Sequence, residues 1–474
     1  MLKKNIILMD YGRDNLEPIL NSDFFDVHTL IVGTLEKANK IKKKYDYINV
    51  LVRNDINAFY LEQEVEIDYS ILEVFKNTQL KVEGFLNRVT SDSSISQYLY
   101  YQALFYWIGR FKDNEIDGII CGEIEHGGTF DSVIFDVASY YNKKVYILEI
   151  AFGNELAISN QIFDYKNKKY LTIDFDAFPL KNFTQEKYIH ALKIKPEINI
   201  QNIKGNGIKK FIINASKQSI NKIFGYLLPR FFLSIVGMYN KYLFSMKLSW
   251  FSQFLGLLYI KNLKRYYNSK CKNYDKDVEH IYYALHMEPE ATIQPRAIFH
   301  NQLAIIKTIS NNLPKEWILY VKDHPHQFDN YNNSKKYYFL VTIWKYRTKK
   351  FYDEISKMGN VKLLKTNISS RLIIQNSKAI VTINGTVILE AIKEQKPVII
   401  FSQNTTPLKF VKDVFDIKNS NDLKEAIRII RKNFIPEYKN LNNILSSYYY
   451  TVDISNEGIV QFLESLFTDS NHNY

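Results

Sequence analysis

Two doubly wound parallel α/β sheets, in two Rossmann-like domains facing across a cleft, are the fold this sequence predicts. Three observations predict it. Short apolar runs of strand length alternate with segments of helical spacing through the first half of the chain. The same alternation restarts in the second half, after a long basic and aromatic stretch. The runs follow one another at the short intervals that parallel βαβ units need.

The elements read as follows. Residues 5–9, 27–33 and 47–52 are strand-like apolar runs. Residues 117–123 form another run, ending in Gly and Glu. From Asp131, the spacing of Val133, Ile134, Val137, Ala138 and Tyr141 predicts a helix. Residues 144–150 are a further buried strand. In the second half, 280–286 is a strand, 296–310 a helix, and 317–325 a strand stopped by proline. Residues 361–365 are a strand, and Ser369 or Ser370 caps a helix through Gln375. The strand 378–384 runs straight into a helix at 385–395. The strand 397–402 comes next, and then an amphipathic helix at 422–431 capped by Asn421 or Asp422.

Composition bounds the function. The chain has 474 residues and 62 Lys and Arg against 50 Asp and Glu, a net charge of +12. With 46% hydrophobic and 24% charged residues it is globular, not wholly disordered. At roughly 150 residues per domain, two or three domains are expected. Only 17 Gly and 11 Pro exclude a collagen-like or linker-dominated chain. Two cysteines, Cys121 and Cys271, make neither a disulfide scaffold nor a multi-cysteine zinc site. A reducing cytoplasm is the simplest setting. The apolar run at the N-terminus stops at Asp10, too short for a signal-peptide core. No uncharged apolar window of about 18 residues offers a membrane span. The expected division is 1–200 (N-terminal Rossmann-like domain), 201–275 (basic aromatic helical linker or insert), 276–440 (C-terminal Rossmann-like domain) and 441–474 (helical segment).

Positive charge concentrates between Lys204 and Lys272, with very few acids, among Phe, Tyr, Trp and Leu. Two readings stand. The segment is a helical linker that buries its aromatics, or it touches an anionic membrane surface. Nucleic acid is not expected, because no binding motif accompanies the charge.

Ligands of such sheets bind outside the carboxyl ends of the strands, and four features lie there. First, a buried strand delivers Thr382 and Asn384, Gly385 makes a tight turn, and Thr386 opens a helix. Free N–H groups at a helix start bind phosphate; an ordinary turn with Thr386 as N-cap is the plain alternative. Glu390 lies one turn on, within reach of a ribose, or is a packing glutamate. Second, Lys322, His324 and His326 cluster around Pro325, and an imidazole there can donate to, or protonate, a leaving phosphate. Third, His286, Glu288 and Glu290 follow a strand in a loop stiffened by two prolines before Arg296. Fourth, Glu123, Glu125 and His126 follow a strand before Gly127 and Gly128, where a carboxylate or imidazole can deprotonate an acceptor hydroxyl. Asp174 and Asp176 have the spacing of a metal-binding pair, but so short a match carries little, and no metal is expected. The glycine signatures of NAD enzymes and P-loop ATPases are absent, as is a serine-hydrolase elbow.

The string from Tyr283 to Thr292, then Asn301 and Gln302, then Val321 to Gln327, then Thr382 to Thr386 with Glu390 and Ala391, resembles the bacterial capsule polysaccharide biosynthesis family. That family includes capsular Kdo transferases. The resemblance covers about 281–402; the first half matches only in general layout. The His324-Pro325 pair and the Thr386 turn are also similar to bacterial sialyltransferases, where they hold the CMP of the donor. The acidic pair before glycine in those enzymes is matched imperfectly by Glu123, Glu125, His126 and Gly127. The resemblance implies a GT-B type glycosyltransferase without an essential metal or cofactor. Its substrate would be a nucleotide sugar, a CMP-sugar such as CMP-Kdo favoured and a UDP-sugar the other choice.

The expected reaction is transfer of a sugar to a capsule or lipopolysaccharide glycan or glycolipid. Glu125, with Glu123 or His126, would be the acceptor base. Lys322 and His324 would contact the donor phosphate, and Thr382, Asn384, Gly385, Thr386 and Glu390 would bind the nucleotide. His286, Glu288, Glu290, Arg296 and Gln302 would line the cleft. The protein is expected in the cytoplasm, with peripheral contact to the inner membrane. A glycerophosphotransferase, a nucleotide-sugar epimerase or a non-catalytic scaffold of a polysaccharide assembly complex are the other readings.

Overall fold

The computed structural model describes residues 3–10, 16–53, 69–86, 93–113, 115–122, 130–152, 159–173, 177–178, 238–240, 243–248, 250–288, 299–324, 326–329, 343–401, 406–448 and 457–468. The first sheet holds β1 (Lys4–Asp10), β2 (Phe25–Val32), β3 (Asn49–Val52), β4 (Gly118–Cys121), β5 (Lys144–Phe152), β6 (Ser159–Asp164) and β7 (Lys169–Leu171). Its order is β3-β2-β1-β4-β5-β6-β7. The first five strands are parallel, and β6 and β7 extend the sheet antiparallel. A small antiparallel ribbon, β8 (Met238–Asn240) and β9 (Leu243–Leu248), follows.

The second sheet holds β10 (His280–Ala284), β11 (Ile318–Lys322), β12 (Val361–Leu364), β13 (Ala379–Thr382), β14 (Val398–Ile400) and β15 (Val414–Asp416). Its order is β12-β11-β10-β13-β14-β15, all parallel. Both orders are doubly wound, so the chain carries the two Rossmann-like domains that its element order predicts. The strands are apolar on both faces because helices cover both: Ile6, Ile7, Leu8 and Met9 are all fully buried, as are Ile380 and Val381.

Helix starts follow local capping chemistry more closely than periodicity. The helix expected at 296–310 begins at Gln302, because the Asn301 side chain accepts from the Ala304 N–H. The helix Ser420–Arg431 is capped by Asn419, not by Asn421 or Asp422. Asn419 and Asp422 form a reciprocal capping box. The helix expected at 385–395 is shorter, Val387–Lys393. Ser369 caps the helix Ser370–Asn376 as expected.

The helix Trp250–Lys270 lies within the basic aromatic stretch and packs against the second domain. Ile260, Leu263 and Tyr267 are buried. The Tyr259 hydroxyl donates to the Arg347 carbonyl at 2.9 Å, and the Tyr266 hydroxyl to Asp353 at 2.5 Å. Residues 201–237 lie outside the described residues. Among the described residues no helix is long and apolar enough to cross a membrane.

The helix Leu441–Tyr448 packs on the second domain, where Leu445 is buried. The helix Glu457–Thr468 instead returns to the first sheet. Phe467 sits edge-on to Phe25 and Tyr146, with ring centroids 5.4 and 5.6 Å away. Ser22 donates to Glu464 at 2.7 Å, and Lys144 to the Leu466 carbonyl at 2.6 Å. Phe467→Ala should therefore cost about 3–5 kcal/mol, as other buried Phe truncations do. In urea unfolding, the transition that reports the first domain should move, and that of the second should not.

Candidate functional site

The second sheet reverses its winding between β10 and β13. β11 and β12 lie on one side of β10, β14 and β15 on the other side of β13. The connections leave this pair in opposite directions and open a crevice at the carboxyl ends, where ligands of such sheets bind. Three of the residues expected to form a site meet there. The His286 Nε2 lies 3.0 Å from the Thr382 hydroxyl and accepts the Asn384 N–H at 3.3 Å. An Nε2 that accepts leaves the ring proton on Nδ1 in the neutral imidazole. The Thr382 hydroxyl reaches the Asn384 carbonyl at 2.7 Å, and the Asn384 side chain accepts the Gly385 N–H at 2.7 Å. Gly385 has φ of +106°, which disfavours any side chain, and a Cβ there would press on the His286 ring at 3.4 Å.

The loop after β10 is held by two glutamines acting alike. Gln302, capped into its helix by Asn301, accepts the His286 N–H at 2.8 Å and donates to the His286 carbonyl at 3.2 Å. Gln327 accepts the Glu288 N–H and donates to the Glu288 carbonyl, both at 2.8 Å. Gln302 and Gln327 are buried, so these are clamps on the loop.

Between the clamps lies Arg347, with no exposed surface. Its guanidinium donates to the His286 carbonyl at 2.8 Å, to Glu288, and to Asp323 at 3.3 Å. Asp323 also accepts the Tyr352 hydroxyl at 2.6 Å and the His324 N–H at 2.9 Å. Tyr267, from the helix Trp250–Lys270, accepts the Asp323 N–H at 3.0 Å. Burial pushes the Asp323 carboxyl up to about 7, against the Tyr352 hydroxyl and the His324 N–H, which pull it down. Burial also lowers the Arg347 pKa. Arginine keeps its proton in proteins, so the two carboxylates supply its counter-charge.

Alternation along β11 sends Lys322 to the opposite face from Asp323. Lys322 is 2% exposed. Its ammonium donates to the Ile368 carbonyl at 2.8 Å and the Ser370 hydroxyl at 2.6 Å. Burial lowers its pKa to about 8, with the Glu390 carboxylate opposing. His324 is half-buried at the end of β11, and Glu390 is half-buried on the helix after Thr386. Gly385 and Thr386 are exposed. That helix has only 7 residues and Thr386 makes no side-chain cap, so any anion would rest on the turn and not on a long helix dipole. Glu288 faces inward to Arg347 and does not line an open cleft. Glu123, Glu125, His126, Glu290, Arg296 and the His326 side chain lie outside the described residues. Among the described residues no three His, Cys, Asp or Glu gather as a metal site.

Sequence reasoning missed Arg347 and Gln327. Arg347 stands in a run with Lys345, Lys349 and Lys350 that reads as a solvated basic face. The only hint is the strand-end acids it neutralises, some 24 and 59 residues away.

Two measurements test this construction. Arg347→Met leaves Glu288 and Asp323 buried without their partner and should cost about 3–5 kcal/mol in chemical unfolding. Lys322 has a folded pKa near 8, below its ordinary 10.5. The unfolded chain therefore binds more protons between those values, and folding stability rises with pH across that window. Measured against Lys322→Met, the wild type should gain about 3 kcal/mol between pH 8 and 10.5 and nothing between pH 6 and 7.

Among curated proteins none matches this chain. Several solved structures align along nearly its whole length at low identity. The UDP-GlcNAc 2-epimerase of Methanocaldococcus jannaschii, in complex with UDP-GlcNAc and UDP, is 12% identical over 97% of this chain and 99% of its own, with a TM-score of 0.28. KpsC of Thermosulfurimonas dismutans, a β-Kdo 2,7 transferase, is 12% identical over 98% of this chain and 100% of its own, with a TM-score of 0.29. At such low TM-scores neither likeness carries an argument, and the fold rests on the strand orders above. Over residues 295–405 the chain matches the capsule polysaccharide biosynthesis protein family, the family that its motifs resemble.

Proposed function

We propose that the protein is a glycosyltransferase that moves a sugar from a nucleotide sugar to a capsule or lipopolysaccharide glycan or glycolipid. A CMP-sugar such as CMP-Kdo is the favoured donor and a UDP-sugar the other. The observation that carries this reading is the meeting of His286 with Thr382 and Asn384 at the switch point of the second sheet. The segment that matches the capsule family contains Thr382 and Asn384.

The donor phosphate would rest on the turn Asn384, Gly385 and Thr386, where the glycine lets the backbone approach closely. His324 would stand at the neighbouring strand end and donate to the leaving phosphate. Lys322, bonded to Ile368 and Ser370, would contribute its charge from inside the fold. Glu390 would reach toward the ribose. His286 would hold the turn, while Gln302 and Glu288 would fix the loop that carries His286. Stabilising the charge that develops on the leaving phosphate is the main catalytic term in such a site. On the acceptor side, Glu125 with Glu123 or His126 would take the proton of the attacking hydroxyl. These residues follow β4, which pairs with β1 at the switch point of the first sheet. Glu290 and Arg296, on the loop after His286, would complete the cleft. No metal or cofactor enters the scheme.

Thermal unfolding with CMP, UDP, GDP and CDP-glycerol, without added metal, tests the donor site. A ligand at a hundredfold excess over its Kd adds about 2.7 kcal/mol of stability. One nucleotide should raise the midpoint, and His324→Ala should abolish both that rise and turnover while keeping the unliganded midpoint. A flat panel, or full activity in His324→Ala, overturns the assignment. The product then separates the reaction classes: a glycoside supports transfer, whereas an epimer or a phosphodiester replaces it.

A further inference from the structure

The helix Trp250–Lys270 has two unlike faces. Ile260, Leu263 and Tyr267 point into the second domain, and the Tyr259 and Tyr266 hydroxyls bond to it. Among the described side chains of this helix, the exposed ones, Leu255, Leu258, Lys261, Asn262, Arg265, Asn268 and Ser269, all fall within the opposite half of the helical circumference at 100° per residue. Leu255 is 46% exposed and Leu258 42%. They stand at one end of this stripe, and Lys261 and Arg265 continue it. The helix contains no Asp or Glu.

A further exposed apolar side chain is carried by the neighbouring helix Ile343–Tyr346. Tyr259 is one helical position round from Leu255, and its hydroxyl bonds the Arg347 carbonyl. That bond brings the neighbouring helix Ile343–Tyr346 against this end, and it carries Trp344, 38% exposed. Lys345, Lys349 and Lys350 flank it and are exposed.

We infer that this face docks the protein on an anionic lipid surface. Leu255, Leu258 and Trp344 would enter the interface, and Lys261, Arg265 and the lysines beside Trp344 would meet the headgroups. Exposed leucines and a tryptophan bordered by exposed cations suit the boundary between acyl chains and anionic headgroups. The same face on a second copy would bring like charges together, which disfavours self-association. The tyrosines of this helix take no part, because their hydroxyls serve the interior. The inference does not rest on the sugar-transfer reading.

Flotation of the full chain with vesicles tests it. The vesicles are phosphatidylcholine alone, or phosphatidylcholine with phosphatidylglycerol, at low and high salt. The wild type should float with the anionic vesicles only, and salt should release it. Lys261→Glu with Arg265→Glu should lower the bound fraction at least roughly tenfold. Leu255→Ser with Leu258→Ser should lower it too. Both changes are on the surface, so thermal midpoints should hold; if the leucine variant unfolds, the charge variant decides. Three results overturn the inference. The wild type stays in solution with anionic vesicles; the charge variant floats like wild type, which would move the contact to residues 201–237; or light scattering shows a dimer that the leucine variant dissolves.

Discussion

A single buried guanidinium organises the carboxyl edge of the second sheet. Arg347 joins the loop after β10, through the His286 carbonyl and Glu288, to the end of β11, through Asp323. Loops that leave a parallel sheet at its switch point have no strand partner there, so their backbone groups need others. Arg347 and the two glutamine clamps supply them for residues 286 and 288. The price is a cation without solvent, tolerable only with two carboxylates and a tyrosine hydroxyl around it. The direction of the His286 ring follows from this arrangement. With its backbone fixed on both sides, the imidazole is delivered to Thr382 and Asn384, and the turn at Gly385 closes over it.

The legible parts of the molecule are those whose signal is local. Strands buried on both faces read as uninterrupted apolar runs, so β10 to β14 stand out in the sequence. Helix starts were displaced where a cap lay further from the periodic pattern, as with Asn301 and Asn419. The approach of His286 to Thr382 followed from strand-end logic, because both residues close strands that a doubly wound order makes neighbours. Lys322 shows the opposite case. A lysine at a strand end reads as a phosphate ligand, but strand alternation turns it into the fold, where a carbonyl and a serine hold it. Arg347 and Gln327 were illegible because their meaning lies entirely in what they touch. Glu123, Glu125 and His126 follow β4 in the sequence and lie outside the described residues.

The helix Trp250–Lys270 separates two properties that its composition mixes. Its aromatic and basic residues suggested one sticky surface. In the fold, Tyr259, Tyr266 and Tyr267 become hydrogen-bonding struts, and Tyr267 reaches Asp323 beside the site. Among the described side chains, what remains outside is leucine, positive charge, asparagine and serine. Burying the tyrosines therefore fixes which face of the helix is left for other partners.

The returning helix Glu457–Thr468 bears on how the chain acquires its structure. Ser22 and Glu464 are 442 residues apart, yet they bond. The cluster around β1, β2 and β3 is completed by Ile459, Leu463 and Phe467. During synthesis at about 5–20 residues per second, the first domain emerges early but keeps an apolar face uncovered until the second has been made. The domain translated first must then be the one finished last, and the ribosome's own pace sets how long that face waits.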